Sequence, residues 1–205
     1  MVDGSHAAAM DAHWHGGVSP FGATWQKTMM WIFIVTDGLL FSGLLCGYGF
    51  LRMASPMPWP NRPEVFSIPF IALMTFILIT SSMFMATAVM AARLGDHRKA
   101  LWNLIFTIAG GAAFLGCQAV EWTHLIHDGA RLTSNPWGAP QFGAAFFVLT
   151  GFHGSHVLSG LVILVITAIR TAMRKTPAQG IELAGLYWHF VDLVWVFIFT
   201  LFYLV

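Results

Sequence analysis

The sequence contains few charged residues, which sets the class of protein. Asp, Glu, Lys and Arg make up only 9% of the 205 residues, and the formal net charge is +1. Soluble domains carry about 25% charged residues, so this composition excludes an ordinary soluble domain. A net charge close to zero also provides no basic field for an anionic partner, and we expect no binding to nucleic acid.

Cysteine is also scarce, and this argues against a disulfide framework. The two cysteines, Cys46 and Cys117, both fall in apolar segments. A buried thiol in such a segment behaves as a small hydrophobic group. We therefore expect neither cysteine to form a disulfide bond.

Hydrophobic residues dominate the chain and predict its fold class. They account for 57% of the sequence, and the mean hydropathy is +0.71. About 20 helical residues cross a hydrocarbon core of roughly 30 Å. The sequence therefore predicts an all-α integral membrane bundle, with a mobile tail over residues 1–25 and a single domain over 26–205. Its five spans are predicted at about 28–51, 67–92, 100–122, 142–169 and 183–205.

The basic residues predict the orientation of the bundle. With five spans, the tail, the second loop and the fourth loop lie on one side of the membrane, and the other two loops lie on the opposite side. Seven basic residues fall on the first side and three on the second. The positive-inside rule then places the N-terminus in the cytoplasm and the C-terminus outside. The first set is Lys27, Arg93, Arg98, Lys99, Arg170, Arg174 and Lys175, and the second is Arg52, Arg62 and Arg131.

Small residues at helical spacing predict contacts between helices. Gly43 and Gly47 form a GxxxG pattern in the first span. In the fourth span, Gly151, Ser155 and Ser159 recur every four residues. Small residues allow transmembrane helices to approach closely, so we expect all five positions to lie at helix contacts.

Polar residues inside the spans are the candidate functional positions. Asp37, His189 and Asp192 are expected at similar depths, roughly 9 to 14 Å from the cytoplasmic side at 1.5 Å per residue. His153 and His156 fall in the middle of the fourth span. A charged side chain at mid-membrane costs about 2.5–3.5 kcal/mol or more, so each should face protein, water or a lipid headgroup. We predict a buried polar layer, in which Asp37 pairs with a histidine of the fourth helix.

The residues alone leave several chemical interpretations open. Histidines can bind haem or a metal, although His153 and His156, three residues apart on one helix, cannot occupy the two axial positions of one iron, so His189 would be needed. Glu121 and His124 form one Glu-x-x-His pair, whereas a di-iron bundle needs two pairs and two further glutamates. Proton handling, lipid-headgroup binding, a free-standing channel or transporter, or simple packing between helices are the remaining interpretations.

Five stretches of the chain carry a resemblance to a known family. Those in the last two spans are "TGFHGSHVLSG" (150–160) and "YWHFVDLVWVFIFTLFY" (187–203). They closely resemble the signature segments of subunit III of the haem-copper respiratory oxidases. The earlier stretches "MMWIFIVTDGLLFSGLLCGYGF", "IPFIALMTFILITSSMFMATA" and "GCQAVEWTHLIHDG" are similar to its carboxylate helix, the helix that follows and its Gln-x-x-Glu segment. Five spans match the shorter bacterial form rather than the seven-helix mitochondrial type.

The resemblance implies a non-redox accessory subunit of a proton-pumping terminal oxidase that reduces oxygen to water. Such a subunit packs on subunit I in a complex that includes subunit II, supports proton uptake and binds phospholipid, while haems and copper lie in the partner subunits. It implies that this chain binds no metal and has no catalytic residue of its own. A subunit-III-like partner of a nitric oxide reductase is the alternative within the fold. Asp37 stands where cytochrome c oxidase members usually carry Glu and quinol oxidase members often Asp, so the electron donor stays open.

The resemblance also implies roles for the polar residues and a location for the chain. Asp37 is then the family's buried carboxylate, and His153, His156, His189 and Asp192 form the polar layer that anchors it. Gln118, Glu121 and His124 are expected to form an interfacial polar cluster instead. The implied location is the bacterial cytoplasmic membrane.

Overall fold

The structure is a computed structural model that describes residues 24–60, 65–134 and 136–204. This part of the chain is all-helical and has five helices that are long and apolar enough to span a membrane. The predicted mobile tail lies almost entirely outside the described residues. The helices are α1 (Trp25–Ala54), α2 (Ile68–Arg93), α3 (His97–His127), α4 (Gln141–Ala172) and α5 (Ala178–Ile198), the last continuing as a π-helical turn, Phe199–Leu204.

The helix starts are specified by proline and by one capping carboxylate. Proline lies in the first turn of α2, where its missing N–H costs nothing, and Pro140 and Pro177 immediately precede α4 and α5. The Asp96 side chain accepts a hydrogen bond of 2.9 Å from the Lys99 N–H and so caps α3. Gly95, at φ +79°, allows the tight turn from α2 into α3.

Four of the helices form a bundle to which α1 is attached at one side. The α2–α3 contact is the most extensive, α4 and α5 complete the bundle, and α1 packs only on α5 and α4 to any extent. In the most apolar window of each helix, 50% of α5 but only 11% of α1 is buried. The first helix is therefore the element most in need of specific contacts to hold its place.

Two tryptophans of α5 form the centre of the core and are hydrogen-bonded there. The Trp188 Nε1–H donates to Ser81 Oγ at 3.1 Å, and the Trp195 Nε1–H donates to Thr75 Oγ1 at 2.9 Å. Both rings are fully buried. These bonds attach α5 to α2 and satisfy the indole N–H groups where no water is available.

An ion-pair cluster lies where α1 and α5 begin and α2 ends. Glu182 Oε1 lies 2.5 Å from Lys27 Nζ and 2.9 Å from Arg93 Nη2. One carboxylate thus connects three helices at the end of the bundle that carries most of the basic residues.

Candidate functional site

The contact between Asp37 and His156 joins α1 to α4. Asp37 is buried, and its Oδ2 lies 3.4 Å from His156 Nε2. The other ring nitrogen, Nδ1, lies 2.9 Å from the Phe152 carbonyl oxygen. Because a carbonyl can only accept, His156 Nδ1 carries a proton. The partner that the structure gives Asp37 in the fourth helix is therefore His156 and not His153.

Aromatic and hydroxyl groups surround this pair and fix the position of His156. The ring of Phe41, one turn after Asp37, meets the imidazole edge-on with centroids 5.2 Å apart. Tyr187 Oη lies 2.6 Å from Ser159 Oγ, so one of the two hydroxyls donates to the other. Both lie within hydrogen-bond distance of the His156 carbonyl oxygen, at 3.2 and 2.9 Å. Tyr187 was not among the predicted site residues, although it is the first residue of the second signature stretch.

His153 lies in a different environment from His156. It is fully buried, and its Nε2–H donates to the Val191 carbonyl oxygen at 3.1 Å. The rings of Phe114 and Trp195 pack against it, with centroids 5.7 and 5.1 Å away. Three residues turn an α-helix by about 300°, so the two histidines point about 60° apart. As a result His153 contacts α5 and α3, whereas His156 faces α1.

His189 and Asp192 belong to a third group, between α5 and α2. Ser82 Oγ lies 2.6 Å from His189 Nδ1, and the Asp192 carboxyl lies beside the same hydroxyl. A serine can accept one hydrogen bond while donating another, so it suits a position between these two side chains. The structure therefore divides the five polar-layer residues among three separate environments. Ser82 was missed, because a lone serine in an apolar span carries little signal.

The three residues expected to form an interfacial cluster have different partners. Gln118 and Glu121 are buried, and His124 is exposed. Gln118 Nε2 donates to the Thr150 carbonyl oxygen at 2.7 Å, whereas Glu121 Oε2 accepts from the Tyr203 hydroxyl at 3.2 Å. Within the described ranges no hydrogen bond joins the three to one another, so they do not act as one hydrogen-bonded cluster.

Several of the predicted helix contacts are not made within the described chain. A methyl group added to Gly43 or Gly47 would meet no described atom within 4 Å, because this face of α1 points away from the bundle. Ser155 is exposed and bonds only to the Phe152 carbonyl of its own helix. A Cβ added to Gly151 would lie 3.0 Å from Trp122 Cη2, and Ser159 contacts Tyr187. A contact of Gly43 and Gly47 with a helix outside the described chain stays a prediction.

The closest helix contacts are formed at glycines that were not among the predicted packing residues. A Cβ added to Gly110 would lie 2.6 Å from Ser81 Cβ, and one added to Gly111 would lie 2.4 Å from Trp188 Cη2. One added to Gly160 would lie 3.0 Å from Trp188 Cε3. Trp188 therefore occupies a slot formed by glycines of α3 and α4.

Comparison with known proteins identifies the family. The family described as cytochrome c oxidase subunit III matches residues 6–205. The chain belongs to this family. Quinol oxidase subunit 3 of Bacillus subtilis is 37% identical over 182 residues, covering 85% of this chain and 84% of the relative. Cytochrome c oxidase subunit 3 of Bacillus sp. is 36% identical over 178 residues, covering 85% and 83%.

Relatives named as quinol oxidase subunit 3 and relatives named as cytochrome c oxidase subunit 3 are similar to this chain to nearly the same degree. A probable cytochrome c oxidase subunit 3 of Nocardia farcinica is 35% identical over 182 residues, covering 87% of this chain and 86% of the relative. Because these identities differ by so little, they do not select cytochrome c or quinol as the donor. Family membership does not favour an autonomous haem or di-iron protein. Among the described residues, no group of three His, Cys, Asp or Glu side chains is arranged to hold a metal ion.

Proposed function

We propose that this chain is the non-catalytic third subunit of a proton-pumping terminal oxidase that reduces oxygen to water. The observation that carries the proposal is the family match over residues 6–205, together with relatives named as oxidase subunit 3. In such a complex the redox chemistry belongs to haems and copper in partner subunits. The role of this chain is then to stabilise the subunit that contains the haems and copper.

A direct contact with subunit I is the first part of this role. Large apolar side chains are exposed along α1, including Leu39 at 68% and Phe50 at 70%. The same helix presents Gly43 and Gly47 with nothing against them in the described chain. A face of this kind suits close approach by lipid or by another transmembrane helix. We propose subunit I as its neighbour, with subunit II elsewhere in the complex.

Support of proton uptake is the proposed role of the Asp37–His156 pair. With His156 Nδ1 donating to a carbonyl, the facing atoms His156 Nε2 and Asp37 Oδ2 need one proton between them to form a neutral pair. A pair of this kind can hold that proton on either atom with no net buried charge, whereas release of the proton leaves one buried negative charge. It also links the loosely packed α1 to α4, which ties the position of α1 to the protonation of the pair.

Phospholipid binding is proposed for the groove between α1 and α5. A cavity of about 440 Å³ opens there, lined almost entirely by apolar side chains such as Leu39, Leu45 and Phe197. Its composition suits an acyl chain. We place the chain in a bacterial cytoplasmic membrane, with the basic end of the bundle on the cytoplasmic side.

Gentle purification tests the assembly and the role together. Membranes are solubilised in a mild detergent, this chain is captured by a tag, and the co-purifying subunits are identified by mass spectrometry and by a reduced-minus-oxidised spectrum. We expect an oxygen reductase that keeps its spectrum but loses activity faster during turnover once this chain is stripped off. The haem types and subunit II in the complex then identify the donor.

Other results would contradict the proposal in identifiable ways. Co-purification with a nitric oxide reductase would favour the alternative within the same family fold. A chain that is isolated alone with its own Soret band or stoichiometric iron would overturn the accessory role. Transport activity of the chain alone in vesicles would indicate a channel or transporter.

A further inference from the structure

A second cavity lies at the end of the bundle opposite the Glu182 ion pairs. Its volume is about 350 Å³, and it opens where α2 begins and α3 ends. We call it the Glu121 cavity. The lining residues used below are Ser67, Phe70, Glu121, His124, Leu125 and Asp128.

Glu121 brings an unsatisfied carboxyl oxygen to this cavity. The side chain is only 7% exposed, and Oε2 accepts the Tyr203 hydroxyl hydrogen bond. Its other oxygen, Oε1, is buried and has no hydrogen-bond partner in the described part of the chain. A buried carboxyl oxygen that accepts no hydrogen bond costs free energy, and such oxygens are rare in native structures. The observation points to a missing donor.

The polar lining of the cavity selects a positively charged donor. Glu121, His124 and Asp128 lie three and four residues apart, on one face of the last turns of α3. None of the described lining residues is Lys or Arg. The same side chains form no three-ligand metal group within the described ranges. Cationic N–H groups therefore suit the cavity better than an anion or a metal ion.

The depth of the cavity places it at the level of lipid headgroups. Glu121 lies 24 residues after the start of α3, which is about 36 Å along the helix at 1.5 Å per residue. The hydrocarbon core is about 30 Å thick, so Glu121 lies near its boundary with the headgroups. Apolar lining residues such as Phe70 and Leu125 suit the less polar part of a lipid next to its headgroup.

A second groove lies on the same two helices, nearer the middle of each. It has a volume of about 250 Å³ and is lined mainly by apolar residues, among them Ile77, Phe84 and Gly110. Phe70 and Ile77 are seven residues apart, and Gly110 and Glu121 are eleven apart. Both spacings return to nearly the same face of a helix. The cavity and the groove therefore lie on one side of the α2–α3 pair.

From these observations we infer that the Glu121 cavity binds a primary ammonium group, carried by an aminophospholipid of the phosphatidylethanolamine type or by a small free amine. The ammonium donates to Glu121 Oε1, and His124 and Asp128 lie at the exposed mouth. The inference rests on the membrane placement in the proposed function, but not on assembly with an oxidase. It concerns a different surface from the α1–α5 groove.

Lipid retention by the purified complex tests this inference. The complex is exchanged into detergent containing equal amounts of phosphatidylethanolamine, phosphatidylcholine and phosphatidylglycerol, and the lipids retained per chain are quantified by native mass spectrometry. We expect phosphatidylethanolamine to be retained selectively, because the choline headgroup has no N–H to donate. Glu121→Gln should lower this retention roughly tenfold, the loss expected for one charged hydrogen bond. Glu182→Gln, at the other end of the bundle, is the control for removal of a carboxylate as such.

A second arm distinguishes a lipid headgroup from a free amine. Ethanolamine is added to the lipid-depleted complex, and the thermal unfolding midpoint is measured. A higher midpoint in the wild type but not in Glu121→Gln, without selective lipid retention, assigns the site to free amines.

The inference is overturned if the wild type retains the three lipids equally and ethanolamine has no effect. It is also overturned if the wild type retains phosphatidylethanolamine selectively and Glu121→Gln retains it to the same degree. If Glu121→Gln does not assemble, the wild-type preference for ethanolamine over choline headgroups decides alone. Loss of oxidase subunits from the wild-type preparation would count against the proposed function and not against this site.

Discussion

The Asp37 carboxyl of α1 lies 3.4 Å from His156 Nε2 of α4, and this contact joins the middle of the two helices. Elsewhere α1 is held mainly by apolar packing on α5 and by the Lys27 contact at its start. The pair is therefore placed to affect both the position of α1 and the protonation of the buried carboxyl.

A double-mutant cycle on this pair should reveal direct coupling. We expect Asp37→Ala and His156→Ala to destabilise the chain less together than the sum of their separate effects. The coupling free energy should be about 0.6 kcal/mol and at most about 1.7 kcal/mol, the range for polar pairs between transmembrane helices. The measurement is the unfolding midpoint in detergent. Asp37→Ala with His153→Ala is the control, because His153 bonds to Val191 instead. Additive effects at Asp37 and His156 would contradict the pairing.

Gly111→Ala should destabilise the bundle. The added methyl would lie 2.4 Å from Trp188 Cη2, and Trp188 is buried on all sides and cannot move freely. Overpacking of this kind costs about 1–3 kcal/mol. Gly116→Ala on the same helix is the matched control, because the added methyl meets no described atom within 4 Å. Thermal unfolding of the two variants compares them, and equal midpoints would refute the packing argument.

Glu182→Gln should loosen the start of α1 in a manner that depends on salt. The substitution removes the negative charge that faces both Lys27 and Arg93. The Arg93 side chain is 59% exposed, so we expect a loss of about 1 kcal/mol or less at low salt. The difference from wild type should shrink between about 0.05 and 0.5 M NaCl as the charges are screened. A difference unaffected by salt would mean that packing, and not charge, explains the loss.

Topology reporters test the proposed orientation. Alkaline phosphatase fused after Val205 should be active, because this enzyme requires the outer side of the membrane. Green fluorescent protein at the same position should be dark, and both reporters fused after Lys175 should give the reverse result. This expectation follows from the seven basic residues on the side of the tail, second loop and fourth loop. The opposite pattern would invert the topology.

The five spans could be predicted because each depends on local composition. Three of the helices, α1, α3 and α4, extend beyond the predicted runs at both ends. For example, α3 begins at His97 instead of 100 and ends at His127 instead of 122. Hydropathy registers only the part that prefers hydrocarbon, whereas the backbone continues its hydrogen bonding until a cap or a proline stops it. A predicted span is therefore shorter than its helix where polar residues continue the helix.

The partners of the polar residues could not be predicted with the same success. His153 and His156 occur in one motif, but a rotation of about 60° directs them to different helices. The pattern at Gly43 and Gly47 shows that α1 has a smooth face, but not whether that face meets a helix of the same chain. Position along a helix is local information, whereas the neighbour of a face depends on how all the helices are arranged.

The sequence by itself determined the membrane class, the five helices and the choice of polar residues, because these follow from residue type and spacing. Tertiary structure alone decided that Asp37 pairs with His156, that Ser82 is the partner of His189, and that Trp188 fills a slot formed by glycines. It also decided that Glu121 keeps one carboxyl oxygen without a described partner beside a cavity. The physical reason is that an apolar segment forms its own backbone hydrogen bonds inside a membrane, while a side chain obtains a partner only when helices pack.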